Sequence, residues 1–139
     1  MKKLLLIVIS ILLFHASSYC QSLALKDILS LANKPGDKSS LTSKSFKLIA
    51  QKGESEQYVL NPGIDKEERL LFEYRGVSYW TMDINYVNTL LQQVRKQYKF
   101  LVKTKSRGGI LYRFSGRDVV IFININQLPH GFSSISISK

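Results

Sequence analysis

The strongest constraint on the fold is that the chain contains the same succession of predicted helix and strands twice. Each time, a stretch with apolar residues at helical spacing is followed by four short stretches with strand-like alternation. The first helix is predicted over residues 23–33, with an apolar stripe made by Leu25, Ile28, Leu29 and Ala32. The second is predicted over residues 84–98, after the N-cap candidate Asp83. Strands are predicted at 45–51, 56–60, 69–75, 77–82, 99–105, 109–115, 118–126 and 132–138.

These patterns predict an α+β fold built from two tandem helix-plus-four-strand repeats, residues 21–83 and 84–139. A unit of about 60 residues buries too little surface to be more than marginally stable alone. We therefore expect both units to form one compact domain, with a mostly antiparallel sheet and both helices on one face. The alternative is one irregular α+β domain in which the similarity of the two halves arises by chance.

The first 20 residues have the layout of a secretory signal peptide. Lys2 and Lys3 precede an apolar run over residues 4–14, and small residues follow. The run is shorter than the about 20 residues of a transmembrane helix. We expect cleavage after Cys20, so that the mature chain begins at Gln21. Cleavage after Ser18, which would leave Cys20 in the mature chain, is a second possibility. A lipid-anchored Cys20 is a less favoured alternative, because Tyr19 and Ser17 do not fit a lipoprotein signal.

Export and cysteine content together limit how this chain is stabilised. We expect the protein to be periplasmic or secreted, where disulfides are common. Cys20 is the single cysteine, so no internal disulfide can form. If Cys20 is removed with the signal peptide, the mature chain has no thiol nucleophile and no cysteine metal ligand. The fold must then depend on its apolar core.

Two stretches resemble known exported proteins. They read SLALKDILSLAN at 22–33 and YVNTLLQQVRKQYKF at 86–100. With the repeated order of elements, they resemble β-lactamase-inhibitor-protein-like folds, PepSY-like domains and small exported bacterial proteins of unknown function. The resemblance implies a curved sheet with a face open for binding, in proteins that often act by holding another protein. It implies no catalytic activity, and it assigns no functional residue.

Positive charge is concentrated in the second half of the chain. The formal net charge is +10, and residues 84–139 contain nine Lys or Arg but a single acid, Asp118. Strict strand alternation places Lys99, Lys103 and Lys105 on one strand face, and Arg113 outward on the next strand. These four residues predict an anion-binding face. The alternative is that lysines on strands only prevent edge-to-edge pairing.

Tyr79 and Trp80 are the second candidate for a binding site. As neighbours on one strand they point to opposite faces, so one faces the core and the other faces the open side of the sheet. Exposed Trp and Tyr side chains often mark binding interfaces. We therefore include both residues in the predicted binding surface.

No sequence motif predicts catalysis, a cofactor or a metal. His15 lies in the signal peptide, and His130 lies in a predicted turn. Glu54 and Glu56 are predicted in a turn, and Glu73 is predicted to pair with Arg75. The sequence contains neither a nucleophile elbow nor a phosphate-binding loop.

The sequence therefore predicts an exported, non-enzymatic binding module. Its partner is expected to be a protein or an anionic envelope component held on the open, basic sheet face. Nucleic acid is disfavoured, because the basic stretches lack a recognisable nucleic-acid-binding motif. The alternatives are an accessory envelope protein that adheres to anionic polymer without specificity, and a small hydrolase without a recognisable motif.

Overall fold

The computed structural model describes residues 23–63 and 66–139, and these form an α+β fold. The described residues contain three helices and eight strands. The helices are α1 (Leu25–Asn33), α2 (Ser39–Ser43) and α3 (Ile84–Gln97). The strands are β1 (Lys47–Lys52), β2 (Ser55–Leu60), β3 (Glu68–Glu73), β4 (Gly76–Thr81), β5 (Lys99–Ser106), β6 (Gly109–Ser115), β7 (Val120–Asn126) and β8 (Ser133–Ser138). The predicted signal peptide, Cys20 and Gln21 lie outside the described residues.

All eight strands form one antiparallel sheet in the order β1-β2-β3-β4-β8-β7-β6-β5. The last strand of each half therefore lies in the middle, where β4 pairs with β8. The first strand of each half, β1 or β5, forms an outer edge. Hairpins connect neighbours within each half, and the β4–β8 seam joins the two halves.

One face of the sheet carries the core, and we call it the packed face. The strand registers align Leu70, Tyr79, Ile135, Ile123 and Tyr112 in one row across it. All of these side chains are buried. The buried residues of α1 and α3 belong to the same apolar cluster. The apolar residues at every second strand position and those at helical spacing in α1 and α3 are therefore buried in one core.

The ends of the long helix follow from its sequence. Asp83 precedes α3, and its Oδ1 accepts a hydrogen bond of 3.0 Å from the Tyr86 amide. This contact satisfies one of the backbone donors that the first helical turn leaves free. Arg95 and Lys96 lie in the last turn, where positive charge is favourable to the helix dipole. The predicted N-cap is confirmed.

Three local details differ from the sequence-based expectations. The short helix α2, between α1 and β1, was not predicted from the sequence. In α1, Leu31 is buried although it is outside the predicted apolar stripe, whereas Leu29 of that stripe is only partly buried. Glu56, which the sequence placed both in a turn and at the start of a strand, lies in β2 and pairs with Lys38 at the start of α2. That ion pair ties α2 to the sheet, a long-range contact that local sequence patterns do not reveal.

Each edge strand contains a β-bulge near its start. The register of β1 shifts between Leu48 and Ala50, and that of β5 shifts between Phe100 and Val102. Ile49 and Leu101 are thus the extra residues. A bulge places two residues opposite one, so the alternation of faces changes after it.

Candidate functional site

The face opposite the packed face is the open face, and two rows of side chains cross its centre. The registers align Arg69, Trp80, Ser134 and Asn124 in one row. They align Leu71, Ser78, Ser136, Phe122 and Arg113 in the next. Directly paired residues on one sheet face are close neighbours. The open face therefore brings aromatic, hydroxyl, amide and guanidinium groups from both halves of the chain together.

Serines form the floor of this surface at the β4–β8 seam. Ser78 and Ser136 are joined by a side-chain hydrogen bond of 2.9 Å between their hydroxyl oxygens. A shallow depression of about 310 Å³ is lined by Ser78, Trp80, Asn124, Phe132, Ser134 and Ser136. A neighbouring depression of about 270 Å³ shares Ser78 and Ser136 and is lined on its far side by Phe122. Small serines between larger rings make the centre of the face concave.

A guanidinium stands on each side of this serine floor. The Arg69 guanidinium carbon lies 5.0 Å from the centre of the Phe132 ring. The Arg113 guanidinium carbon lies 5.5 Å from the centre of the Phe122 ring. Both distances are within the range of cation–π attraction, which holds a long side chain in place over a ring. The two depressions are thus flanked by positioned, permanently charged donors.

Arg69 also anchors the neighbouring loop through Glu67. Its Nε donates to Glu67 Oε1 at 2.5 Å, and the Gly63 amide donates to Glu67 Oε2 at 2.6 Å. Two contacts lower the pKa of Glu67 below its ordinary value. The larger effect comes from the Gly63 backbone hydrogen bond, and the smaller comes from the hydrogen bond with Arg69. The Glu67 carboxylate thereby connects β3 to the loop before it.

Acidification is expected to weaken this connection. The pKa of Glu67 is lower in the folded protein than in the unfolded chain, where it is about 4.5. The ionised carboxylate therefore stabilises the fold above pH 4.5, and this stabilisation is lost as the pH falls through the pKa of the folded protein. We expect Glu67→Gln to lower the free energy of unfolding at about pH 6, and to lower it much less at about pH 3. Urea unfolding at both pH values measures this. Glu54→Gln, at an exposed turn position, is the control, and equal effects of the two changes at both pH values would contradict the prediction.

Of the predicted aromatic pair, Trp80 lies on the open face and Tyr79 in the core. Tyr79 has no exposed surface, and its ring packs edge-on against Tyr86 of α3 with 6.2 Å between ring centres. Trp80 is half-buried and lines the larger depression. A partner at the surface can thus reach Trp80 but not Tyr79.

The four predicted basic residues do not share one face, so that part of the prediction is wrong. Lys99 pairs with Ser115 and Val102 with Arg113, which puts Lys99 and Arg113 on the open face. Lys103 pairs with Tyr112, and Lys105 with Ile110, which puts these two lysines on the packed face at its outer edge. The physical reason is the bulge at Leu101, which reverses the alternation between Lys99 and Lys103.

Lys103 lies close to a second cationic residue, Arg95, and the sequence did not predict this proximity. Lys103 Nζ lies 5.5 Å from the centre of the Tyr112 ring, and the Arg95 guanidinium carbon of α3 lies 5.2 Å from the same centre. Within residues 23–63 and 66–139, the structure shows no ion pair for Arg95, Lys103 or Lys105. The outer edge of the packed face is therefore positively charged without a neutralising carboxylate from the described chain.

Other predicted polar contacts also differ. No ion pair joins Glu73 to Arg75, and the Arg75 guanidinium carbon instead lies 5.5 Å from the centre of the Tyr74 ring. Glu68 is buried on the packed face opposite Thr81, although its sequence neighbours gave no sign of burial. Its charge adds to the effect of burial in raising the pKa of Tyr86 above the ordinary value. His130 is exposed in the turn before β8, with a φ of 55°.

Among residues 23–63 and 66–139, no three His, Cys, Asp or Glu side chains are grouped so that they could hold a metal ion. In the same residues, no helix has both the length and the apolar character needed to cross a membrane.

Comparisons of the chain with protein-family models, with curated proteins and with solved structures found no match.

Proposed function

We propose that this chain is an exported, non-enzymatic binding module that holds a protein partner on its open face. The observation that carries the proposal is the serine floor at the β4–β8 seam, with Trp80 and Phe122 beside it and Arg69 and Arg113 at its two sides. A concave surface with aromatic rings and donors of fixed position suits an apolar side chain flanked by carboxylates.

The composition of this surface favours a protein over an anionic polymer. Trp and Arg are enriched among the residues that dominate protein–protein binding energies, whereas Lys is depleted at such interfaces. With Lys103 and Lys105 on the other face, the centre of the open face carries arginine and aromatic side chains. Non-specific adhesion to anionic polymer would instead depend on total charge, and it remains the alternative that the experiment must separate.

We also infer that the two halves of the chain, residues 21–83 and 84–139, are structural repeats with both long helices on the packed face. In support, the bulges in β1 and β5 fall at matching places, within KLIA at 47–50 and KFLV at 99–102. In further support, α1 contacts β4 and β8, and α3 contacts β7 and β8. An architecture of this kind leaves the open face free for a partner, as the resemblance to inhibitor-like and PepSY-like proteins implies.

The export part of the proposal is tested at the N-terminus. Mass spectrometry of the protein from its native envelope fraction is expected to show a chain that begins at Gln21. A lipid-modified Cys20 would instead establish an anchored protein, and a chain that retains Met1 would contradict export.

The binding part is tested by cross-linking in the same envelope fraction, followed by affinity measurement with the purified partner. We expect one dominant cross-linked protein, bound at least about tenfold more weakly by Trp80→Ala, which corresponds to about 1.4 kcal/mol. Tyr74→Ala is the matched control, because Tyr74 is an aromatic residue exposed in the β3–β4 turn. We expect this variant to bind like the unchanged protein.

Two outcomes would contradict the proposal. The first is a Trp80→Ala variant that keeps its fold, checked by thermal unfolding, and still binds the partner with unchanged affinity. The second is a protein that cross-links to many abundant envelope proteins and binds polyanions without saturation. The second outcome would favour the accessory, polymer-adhering alternative.

A further inference from the structure

We propose that the free edge of β5 binds an extended acidic segment of a partner protein as a ninth strand. This surface is separate from the open-face depression at the β4–β8 seam. The inference therefore does not depend on the proposed function of that depression.

The first observation is the geometry of the edge. Among the strands of residues 23–63 and 66–139, β5 pairs with β6 alone, and all eight of its residues are exposed. The bulge at Leu101 disrupts the start of the strand, but the register from Val102 to Ser106 is continuous. An edge strand presents a row of backbone donors and acceptors that can pair with another extended chain. Five residues of regular strand are thus open to such pairing.

The hairpin register indicates which backbone groups face outward. Ser106 lies opposite Gly109 across a two-residue turn, so this pair closes the hairpin. Antiparallel pairs alternate between hydrogen-bonded and non-hydrogen-bonded positions. Thr104 and Val102 therefore bond to β6, and the backbone N–H and C=O groups of Lys103 and Lys105 point to the free edge.

The second observation is the charge beside this edge. On the packed side, Lys103 of β5 and Arg95 of α3 lie against the same Tyr112 ring, and Lys105 lies two residues further along β5. None of the three has an ion pair to a described carboxylate. On the open side, the edge carries Val102 and Thr104. A strand added to β5 would place alternate side chains on these two sides. The edge therefore fits a segment that alternates acidic residues with apolar or threonine residues.

A second copy of this chain fits the edge poorly. The other edge of the sheet, β1, carries Lys47 and Lys52 and no acid. Pairing β5 with β5 would bring lysines together, and like charges opposite each other on paired strands are destabilising. Pairing β5 with β1 would offer Lys103 and Lys105 no acidic partner. The occupant that complements this edge is therefore an acidic segment from a different protein.

The experiment uses the purified protein and a synthetic peptide of about ten residues that alternates Glu with Val. Amide hydrogen exchange, followed by nuclear magnetic resonance, measures pairing at single residues. We expect the peptide to slow the exchange of the Lys103 and Lys105 amides by about tenfold or more, because both would become hydrogen-bonded. A peptide that alternates Lys with Val should leave these rates unchanged.

Two charge-reversed variants provide the matched comparison. Lys103→Glu with Lys105→Glu is expected to weaken binding of the Glu/Val peptide by about tenfold or more. Lys47→Glu with Lys52→Glu makes the same charge change on the β1 edge and should have little effect. Trp80→Ala should also bind the peptide normally, which separates this proposal from that for the open face.

Three results would overturn the proposal. The first is binding of the peptide without protection of the β5 amides, which would indicate charge attraction alone. The second is equal weakening of binding by the two double variants, which would indicate no preference for β5. The third is a failure of the unchanged protein to bind the peptide while Lys103→Glu with Lys105→Glu self-associates, which would show that the lysines serve only to prevent edge pairing.

Discussion

Replacing Phe114 by alanine is expected to lower the free energy of unfolding by about 3–5 kcal/mol. Phe114 lies in β6, has no exposed surface and faces Ile121 on the packed face. Its ring packs edge-on against Phe100 of the edge strand, with 5.7 Å between ring centres. The change would leave a cavity and would also remove the ring that supports β5. Urea unfolding followed by circular dichroism measures the loss.

The matched control is Leu111→Ala on the same strand. Leu111 is a large apolar residue on the opposite face and is 40% exposed. Its replacement is expected to cost less than about 1 kcal/mol, because much of its side chain stays in contact with water and its removal leaves no enclosed cavity in the core. Similar losses for the two variants would contradict the assignment of the packed face. Because a domain of this size is stable by only about 5–15 kcal/mol, Phe114→Leu provides a milder second variant should Phe114→Ala fail to fold.

Replacing Gly76 by alanine is expected to lower the free energy of unfolding by about 3 kcal/mol, the upper part of the range for overpacked sites. Gly76 opens β4 and pairs with Ser138 of β8 at the seam between the two halves. A Cβ atom at position 76 would lie 2.4 Å from the carbonyl oxygen of Ile137. This oxygen belongs to the backbone, so the strands must separate locally and the seam must loosen.

The control for this prediction is Gly36→Ala. A Cβ at position 36 meets no atom within 4 Å, and the backbone there does not have positive φ. We therefore expect this change to alter stability by less than about 1 kcal/mol in either direction. Amide hydrogen exchange provides a second measurement, because loosening of the seam should speed exchange in β4 and β8 before it affects β6. Unchanged stability and exchange in Gly76→Ala would mean that the close approach of β4 to β8 is not required.

The same seam connects stability to the proposed function. The floor of the open-face depression is made by Ser78 of β4 with Ser134 and Ser136 of β8, so it exists only where the two halves meet. A folded variant with a loosened seam should therefore also lose affinity for a partner on the open face. It should keep the β5 edge, which lies three strands away from β8.

The sequence by itself determined the two long helices and the eight strands. The helical spacing before Asn33 and after Asp83 predicted α1 and α3, and strand-like alternation predicted β7, in which Ile121, Ile123 and Ile125 are buried. These features were predictable because each depends on a local period, of about 3.6 residues in a helix and two in a strand. The excess of positive charge in the second half was likewise a property of the sequence alone.

The tertiary structure decided how these elements combine into surfaces. The β4–β8 pairing brings Trp80 beside Ser134, residues that are distant in the sequence. The bulge at Leu101 sends Lys103 and Lys105 to a different face from Lys99, against the alternation that the sequence predicted. A bulge depends on which residue lies opposite which on the neighbouring strand, and a single strand's sequence does not specify this. Local periods therefore identified what is buried, whereas long-range register decided which polar groups stand together.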